Sequence, residues 1–437
     1  MRYFPKLRVV ATLLAISILV YLALYGPHLA PPVISLSWRL ESLGRAVLKF
    51  KMFSGQPALD RSAATSTFPE EGFAVAVVWP PRTVPSYVEG VTLAWEEMNA
   101  AKGPLAGKIR LRTFVEELPT RRIFGPMLRP TSGPLTQLPK EVVSYGDVRV
   151  VMGHALDNTL VPASIVYNEA GVLFLVPRSY TNRLTNHELS LVYKMMPGDT
   201  DVADAMTQFA KQSGLEKIVV LYELSEQGKG LVQDLKVTLP DANIKVTKYS
   251  AYSQSRGVWS DTDFRPLIAE FIGTPYDAIV ISGSLPLAAK LVIDLQTMGN
   301  TKPLLGTDLF ATRQFGLLAG SVSNGVFVTT FVPNGAGQDK STARMAYAQF
   351  VERFEHRFNI TPSLDAAKGY FAFSTFVEAC LISKSFDPII VATTLKLQKF
   401  GGIFGTISFD DEGNLVGGEL AVGPYQFGSS SSTFPDS

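Results

Sequence analysis

Two polar clusters hold the residues best suited to chemistry: Asp157, Asn158 and Thr159, and further on Arg178, Ser179 and Tyr180. A guanidinium presents a fork of donors to a carboxylate, whereas an aspartate repels a carboxylate and accepts from an ammonium. The hydroxyls and the amide serve neutral groups. This is the chemistry of recognition. Each cluster follows a short apolar run, VRVVM at 148–152 and VLFLV at 172–176. Both are too short and too β-branched for helices, and such near-continuous apolar runs suit strands of a parallel sheet covered on both faces. Ligands of open α/β sheets sit beyond the carboxyl ends of the strands, so the stretch 147–181 carries the candidate site. A plainer reading holds for each residue singly, because Asp, Asn, Thr and Ser after a strand are also helix N-caps. The two loops together favour a site. Trp79, closing the run FAVAVVW at 73–79, lines the same space or belongs to the core.

No reacting centre can be assembled. The four histidines, His28, His154, His187 and His356, have no Cys, Asp or Glu at metal-ligand spacing. His154 adjoins the first cluster, where a packed, hydrogen-bonded histidine is favoured over a catalyst. GPLAGK at 103–108 has the wrong spacing for a phosphate loop and precedes a strand instead of following one. No Gly-x-Ser-x-Gly elbow occurs. The single Cys380 has no disulfide partner and reads as a buried thiol. The chain is read as no enzyme, with no cofactor and no metal.

The elements that position the clusters belong to a large chain. At 437 residues it exceeds what one core serves, so two lobes are expected. Charged residues are 18% and hydrophobic ones 46%, which argues against general disorder. Lys plus Arg number 40 against 39 acids, leaving no basic field for nucleic acid. At the N-terminus Arg2, Lys6 and Arg8 precede an uncharged run at 9–25, 17 residues long. That is the lower limit of a membrane span and longer than most signal-peptide cores. Residues 1–32 are read as an uncleaved anchor, with a cleaved signal as the alternative. Basic residues on both sides of the run make the charge rule a weak guide to orientation. The globular part is expected outside the cytoplasm. Residues 33–71 follow as stalk and linker. Within them 33–52 forms either an amphipathic helix on the membrane surface or a short helix packed on the body.

From Phe73 the chain alternates strands and helices. FAVAVVW, a helix opened by a capping box at Ser86 and Glu89, and a strand at 108–115 make a β-α-β unit. The stretch 118–139 carries five prolines and reads as an extended surface loop where a covering helix would normally occur. Further strands are read at 217–222, 243–250, 277–283, 303–308 and 325–330. Ser284 is positioned to cap the helix at 286–298, and long helices are read at 342–358 and 366–385. The fold class is α/β, with two doubly wound parallel-sheet lobes. The tail at 426–437 reads as disordered.

The pieces FAVAVVW, EGVTLAWEEMNAAKGPLAGKIRL, VRVVMGHALDNTLVPAS, GVLFLVPRSYT, TPSLDAAKGYFAF and FGGIFGTISFDDEGN, in this order, resemble the type I periplasmic solute-binding proteins of the branched-chain amino-acid class. The resemblance covers roughly residues 72–425. It implies two lobes joined by three hinge crossovers, near 195–197, 330–333 and 400–402, closing on a small ligand. The first lobe would comprise 72–195 with 332–400, and the second 196–331 with 401–425. It also implies that the ligand's carboxylate and amino groups fall to Asp157, Asn158, Thr159, Arg178, Ser179 and Tyr180. Second-lobe contacts would come from Gln227, Ser284 and Asp308, with Asp308 suited to an ammonium. The chain departs from the pattern at Asp157 and Arg178, where small residues are usual, and at Gln227 and Ser284, where an aromatic is common. An acidic, polar or non-amino-acid ligand is therefore open beside an amino acid. The implied partners are a small-molecule ligand, an ABC-type permease or other inner-membrane protein, and the membrane itself. The implied place is the periplasmic face of the inner membrane. A sensory or scaffold module built on the same clamp is the alternative.

Overall fold

The computed structural model describes residues 68, 71–80, 87–116, 135–179, 184–185, 189–254, 259–332 and 340–425. The expected anchor and stalk, the tail, Tyr180 and the Ser86 of the capping box lie outside them. Among the described residues no helix is long and apolar enough to cross a membrane.

The first half runs β1 (Phe73–Trp79), α1 (Tyr87–Ala100), β2 (Ile109–Val115), α2 (Gln137–Ser144), β3 (Val148–Gly153), α3 (Asp157–Glu169), β4 (Leu173–Val176) and β5 (Val192–Lys194). Its five strands form one all-parallel sheet in the order β2-β1-β3-β4-β5. Next come α4 (Asp199–Gln212), β6 (Lys217–Glu223), α5 (Glu226–Asp241), β7 (Lys245–Tyr252), α6 (Arg265–Ala269), β8 (Ala278–Ser282), α7 (Leu285–Thr297), β9 (Leu304–Gly306), α8 (Arg313–Ala319) and β10 (Val326–Val332). The chain ends with α9 (Lys340–Phe358), α10 (Leu364–Ser383), α11 (Pro388–Leu397), β11 (Ile407–Phe409), β12 (Leu415–Gly417) and β13 (Glu419–Pro424). The second sheet has six strands in the order β13-β10-β9-β8-β6-β7, parallel except for β13 at its edge.

The apolar runs behave as strands covered on both faces. In β1, Phe73, Val75, Val77 and Trp79 join one core with α1 and α10, while Ala74, Ala76 and Val78 join another with α3. In β8, Ile279 and Ile281 pack on the α7 side while Ala278 and Val280 pack with α4 and α5. Side chains alternate across a strand, so a run apolar at every position feeds two cores at once.

Three passages link the sheets. Met195 lies in the first-sheet core and Met196 in the second, so the chain crosses right after β5. A second passage follows β10, after which α9 places Tyr347 and Phe350 in the first core. For the third, the sequence points to 400–402. Phe400, Phe404, Ile407, Phe409 and Leu415 all belong to the first core instead, and the return comes at β13.

The stretch 118–139 is not wholly a loop. Helix α2 begins at Gln137, and Pro139 sits in its first turn, where its missing N–H costs nothing. The short β5 and β12, the half-exposed edge strand β13 and the helix α11 have no counterpart in the sequence reading.

Candidate functional site

In the first sheet, β1, β3 and β4 end on the loops that carry the two polar clusters. Gly153 ends β3 at φ +135°, and a Cβ there would lie 2.1 Å from the Val78 carbonyl oxygen. Only glycine fits so close an approach at that angle. The chain then turns through His154, whose φ is +49°, before α3 starts at Asp157.

That turn is braced from within by Glu116, 1% exposed, which reaches over from the end of β2. One oxygen accepts from His154 Nδ1 at 2.8 Å and from the Thr159 hydroxyl, and the other accepts from Ala155 N at 2.8 Å. A carboxylate only accepts, so the imidazole proton sits on Nδ1, and Tyr167 donates its hydroxyl to Nε2 at 2.8 Å. Burial, and then the Glu116 charge, hold the Tyr167 phenol well above its usual range, so it remains a donor. His154 is thus a packed, hydrogen-bonded residue. The single proton of the Thr159 hydroxyl goes to Glu116 or to the Leu156 carbonyl, both acceptors of the chain itself.

Trp79 also turns inward. It is 3% exposed and stacks on Tyr87 with ring centroids 3.9 Å apart. The Tyr87 hydroxyl is buried with no hydrogen-bond partner among the described residues, and burial, then the charge of Asp365, raise its pKa. After β4, Arg178 places Nη1 3.9 Å from Asp365 Oδ2, an ion pair too long for a hydrogen bond. Ser179 is 2% exposed, its N–H donates to Met196 Sδ, and its hydroxyl has no partner among the described residues. The backbones of Asp157 and Asn158 form the first turn of α3 and that of Gln227 the first turn of α5, while their side chains lie outside the described residues.

In the second sheet, β8 ends at Gly283 and α7 follows with Ser284 as its N-cap. The expected side-chain cap is absent. Instead the Ser284 N–H donates to Glu223 Oε2 at 2.5 Å, which ties the ends of β6 and β8 together. After β9, Gly306 leaves room for Phe310, whose ring carbon would otherwise lie 1.8 Å from a Cβ. The resulting turn buries Asp308.

Asp308 is already in contact with a cation. Its Oδ2 accepts from Lys368 Nζ at 2.8 Å, and the two side chains are 3% and 1% exposed. Lys368 comes from α10, a first-core helix held tightly against α1. A Cβ on Gly90 would meet the Ala366 carbonyl oxygen at 1.9 Å, and one on Gly369 the Tyr87 carbonyl oxygen at 2.4 Å. The pair therefore joins the two cores at the carboxyl ends of their sheets. Sequence reading missed Lys368, Asp365, Tyr87, Glu116 and Glu223. One signal was available, a lone lysine inside the apolar run LDAAKGYFAF, where an unpaired charge would be costly.

Comparison with known proteins agrees with the fold. A family described as periplasmic binding protein matches residues 136–429. A leucine-, isoleucine-, valine-, threonine- and alanine-binding protein of Pseudomonas aeruginosa is 23% identical over 283 residues, which cover 64% of this chain and 72% of that one. A substrate-binding protein of an ABC transporter from Desulfitobacterium hafniense, solved with Leu, has a TM-score of 0.66 at 22% identity, covering 80% of this chain and 97% of the other. A solute-binding protein from R. palustris, solved with benzoate, has a TM-score of 0.63 at 17% identity, covering 82% and 94%.

Proposed function

Because the chain belongs to the periplasmic binding protein family, we propose that it is an extracytoplasmic solute-binding protein. It captures a small polar ligand, amino-acid-like or carboxylate, between its two sheets and delivers it to an ABC-type permease. One observation carries this reading: helix α10 of the first core meets the turn after β9 of the second sheet through Lys368 and Asp308, and Arg178 at the end of β4 faces Asp365 of the same helix. A ligand needs such preset polar groups in a site shielded from water. The contacts are assigned to Arg178, Ser179 and Asp308, together with Asp157, Asn158, Tyr180, Gln227 and Ser284 from the matched loops. Trp79 and Thr159 serve as support. Residues 1–32 anchor the protein to the periplasmic face of the inner membrane, a role motivated by the uncharged run at 9–25.

A second reading has its own support. An ion pair formed by the chain's own side chains between the two cores also suits a module that presents a fixed surface to a membrane partner. A thermal-shift screen of the full chain against amino acids, carboxylates, amides and small aromatics separates the two. A ligand at about 100 times its dissociation constant adds about 2.7 kcal/mol to the native state. The expected result is a clear rise in melting temperature that Arg178→Ala abolishes. A folded protein that no compound shifts points to the scaffold.

A further inference from the structure

We propose that Lys368 sets the ligand class of this cleft: its ammonium stands on Asp308 and withholds that carboxylate from a free amino acid's amino group, so the site takes small carboxylates lacking an α-amino group. The inference rests on the solute-binding reading and narrows it.

A ligand ammonium taken out of water needs an anionic partner. Four carboxylates at or beside the strand ends already face donors or cations of the chain, while Glu89 in the first turn of α1 keeps one buried oxygen without a hydrogen-bond partner among the described residues. Glu116 holds His154, Ala155 and Thr159. Glu223 accepts from the Ser284 N–H. Asp365 faces Arg178, and Asp308 holds Lys368. A second ammonium at Asp308 would share one carboxylate with Lys368 and be repelled by it at low dielectric. Nor is Lys368 placed to swing into water. It is 1% exposed, and its helix is fixed by the crossings at Gly90 and Gly369.

An anion meets the opposite situation. Lys368 carries three donors and Asp308 takes one of them. The hydroxyls of Tyr87, Ser179 and Thr307, 0%, 2% and 5% exposed, have no hydrogen-bond partner among the described residues. Buried hydroxyls of this kind call for an acceptor. They belong to the start of α1 and the ends of β4 and β9, and the last two also bring in Arg178 and Asp308. A carboxylate, or an oxo or hydroxyl oxygen beside it, supplies acceptors without adding a cation.

Isothermal titration of the full chain with matched sets tests this. Each set holds an amino acid, its 2-oxo acid and its desamino acid, on the leucine, phenylalanine and aspartate skeletons. Wild type is expected to bind an oxo or desamino acid at least tenfold more tightly than the matching amino acid. Lys368→Met keeps the unbranched stem and vacates Asp308, so the preference should reverse, with amino-acid affinity rising at least tenfold. Tighter binding of an amino acid by wild type overturns the role of Lys368 and leaves the solute-binding reading intact. Binding of no compound by either protein, both folded, removes that reading and the inference with it. Should Lys368→Met fail to fold, the wild-type ranking alone decides.

Discussion

Glu116 illustrates how much of a binding loop is set by a residue that need not touch a ligand. It satisfies the His154 ring, the Ala155 N–H and the Thr159 hydroxyl in a turn that Gly153 and His154 carry through positive φ. Removing the carboxylate leaves the His154 Nδ1–H and the Ala155 N–H without partners, each worth about 1–3 kcal/mol, while Thr159 keeps the Leu156 carbonyl. Glu116→Ala should therefore cost about 3 kcal/mol or more in urea denaturation, and a loss below about 1 kcal/mol would contradict the brace. The turn itself was legible, since the polar cluster after VRVVM marked it. Its brace was not, because Glu116 lies 38 residues from His154 and no local pattern records a contact at that separation. The same holds for Lys368, 60 residues from Asp308. A charge satisfied by a distant partner looks, in sequence, like a charge on a surface.

At the scale of elements, the strands were the readable part. Runs such as FAVAVVW announce themselves because both faces are buried, and every position must be apolar. Strands β5 and β12 are three residues each and β13 is half-exposed at an edge, so none produces a run. Helix packing left a fainter trace in small residues. The crossing of α1 and α10 depends on Gly90 and Gly369, which face backbone rather than mobile side chains. Gly369→Ala would force a Cβ to within 2.4 Å of the Tyr87 carbonyl oxygen. Overpacking of this kind costs about 1–3 kcal/mol. At Gly103 the φ is ordinary and a Cβ would meet nothing within 4 Å. Gly103→Ala is the control, expected within about 0.5 kcal/mol of wild type. Equal effects of the two substitutions in chemical denaturation would show that the crossing is loose.

For the whole molecule, the Lys368–Asp308 pair lies where the two cores meet, so its removal tests their coupling as well as local stability. Truncating one partner strands a buried charge, at a cost of about 3–5 kcal/mol, whereas replacing both by apolar groups is often neutral or stabilising. Lys368→Met and Asp308→Leu should each be strongly destabilising, and the double variant should recover most of the loss. Where the pair holds two bodies together, the single variants have a way out: the sheets move apart and the stranded charge regains water. Small-angle scattering should then report a larger radius of gyration for each single variant than for wild type or the double variant. The melting temperature would fall less than the burial of the pair implies. A radius unchanged in the single variants, together with the full stability loss, would mean that the cores are joined by the three chain passages and the apolar contacts around Phe331 and Phe404. The ion pair would then act only within a rigid body. Hinge motion depends on which of these holds, because lobes that separate when one charge is removed are held within a few kcal/mol of opening, the range in which a bound ligand can shift the balance.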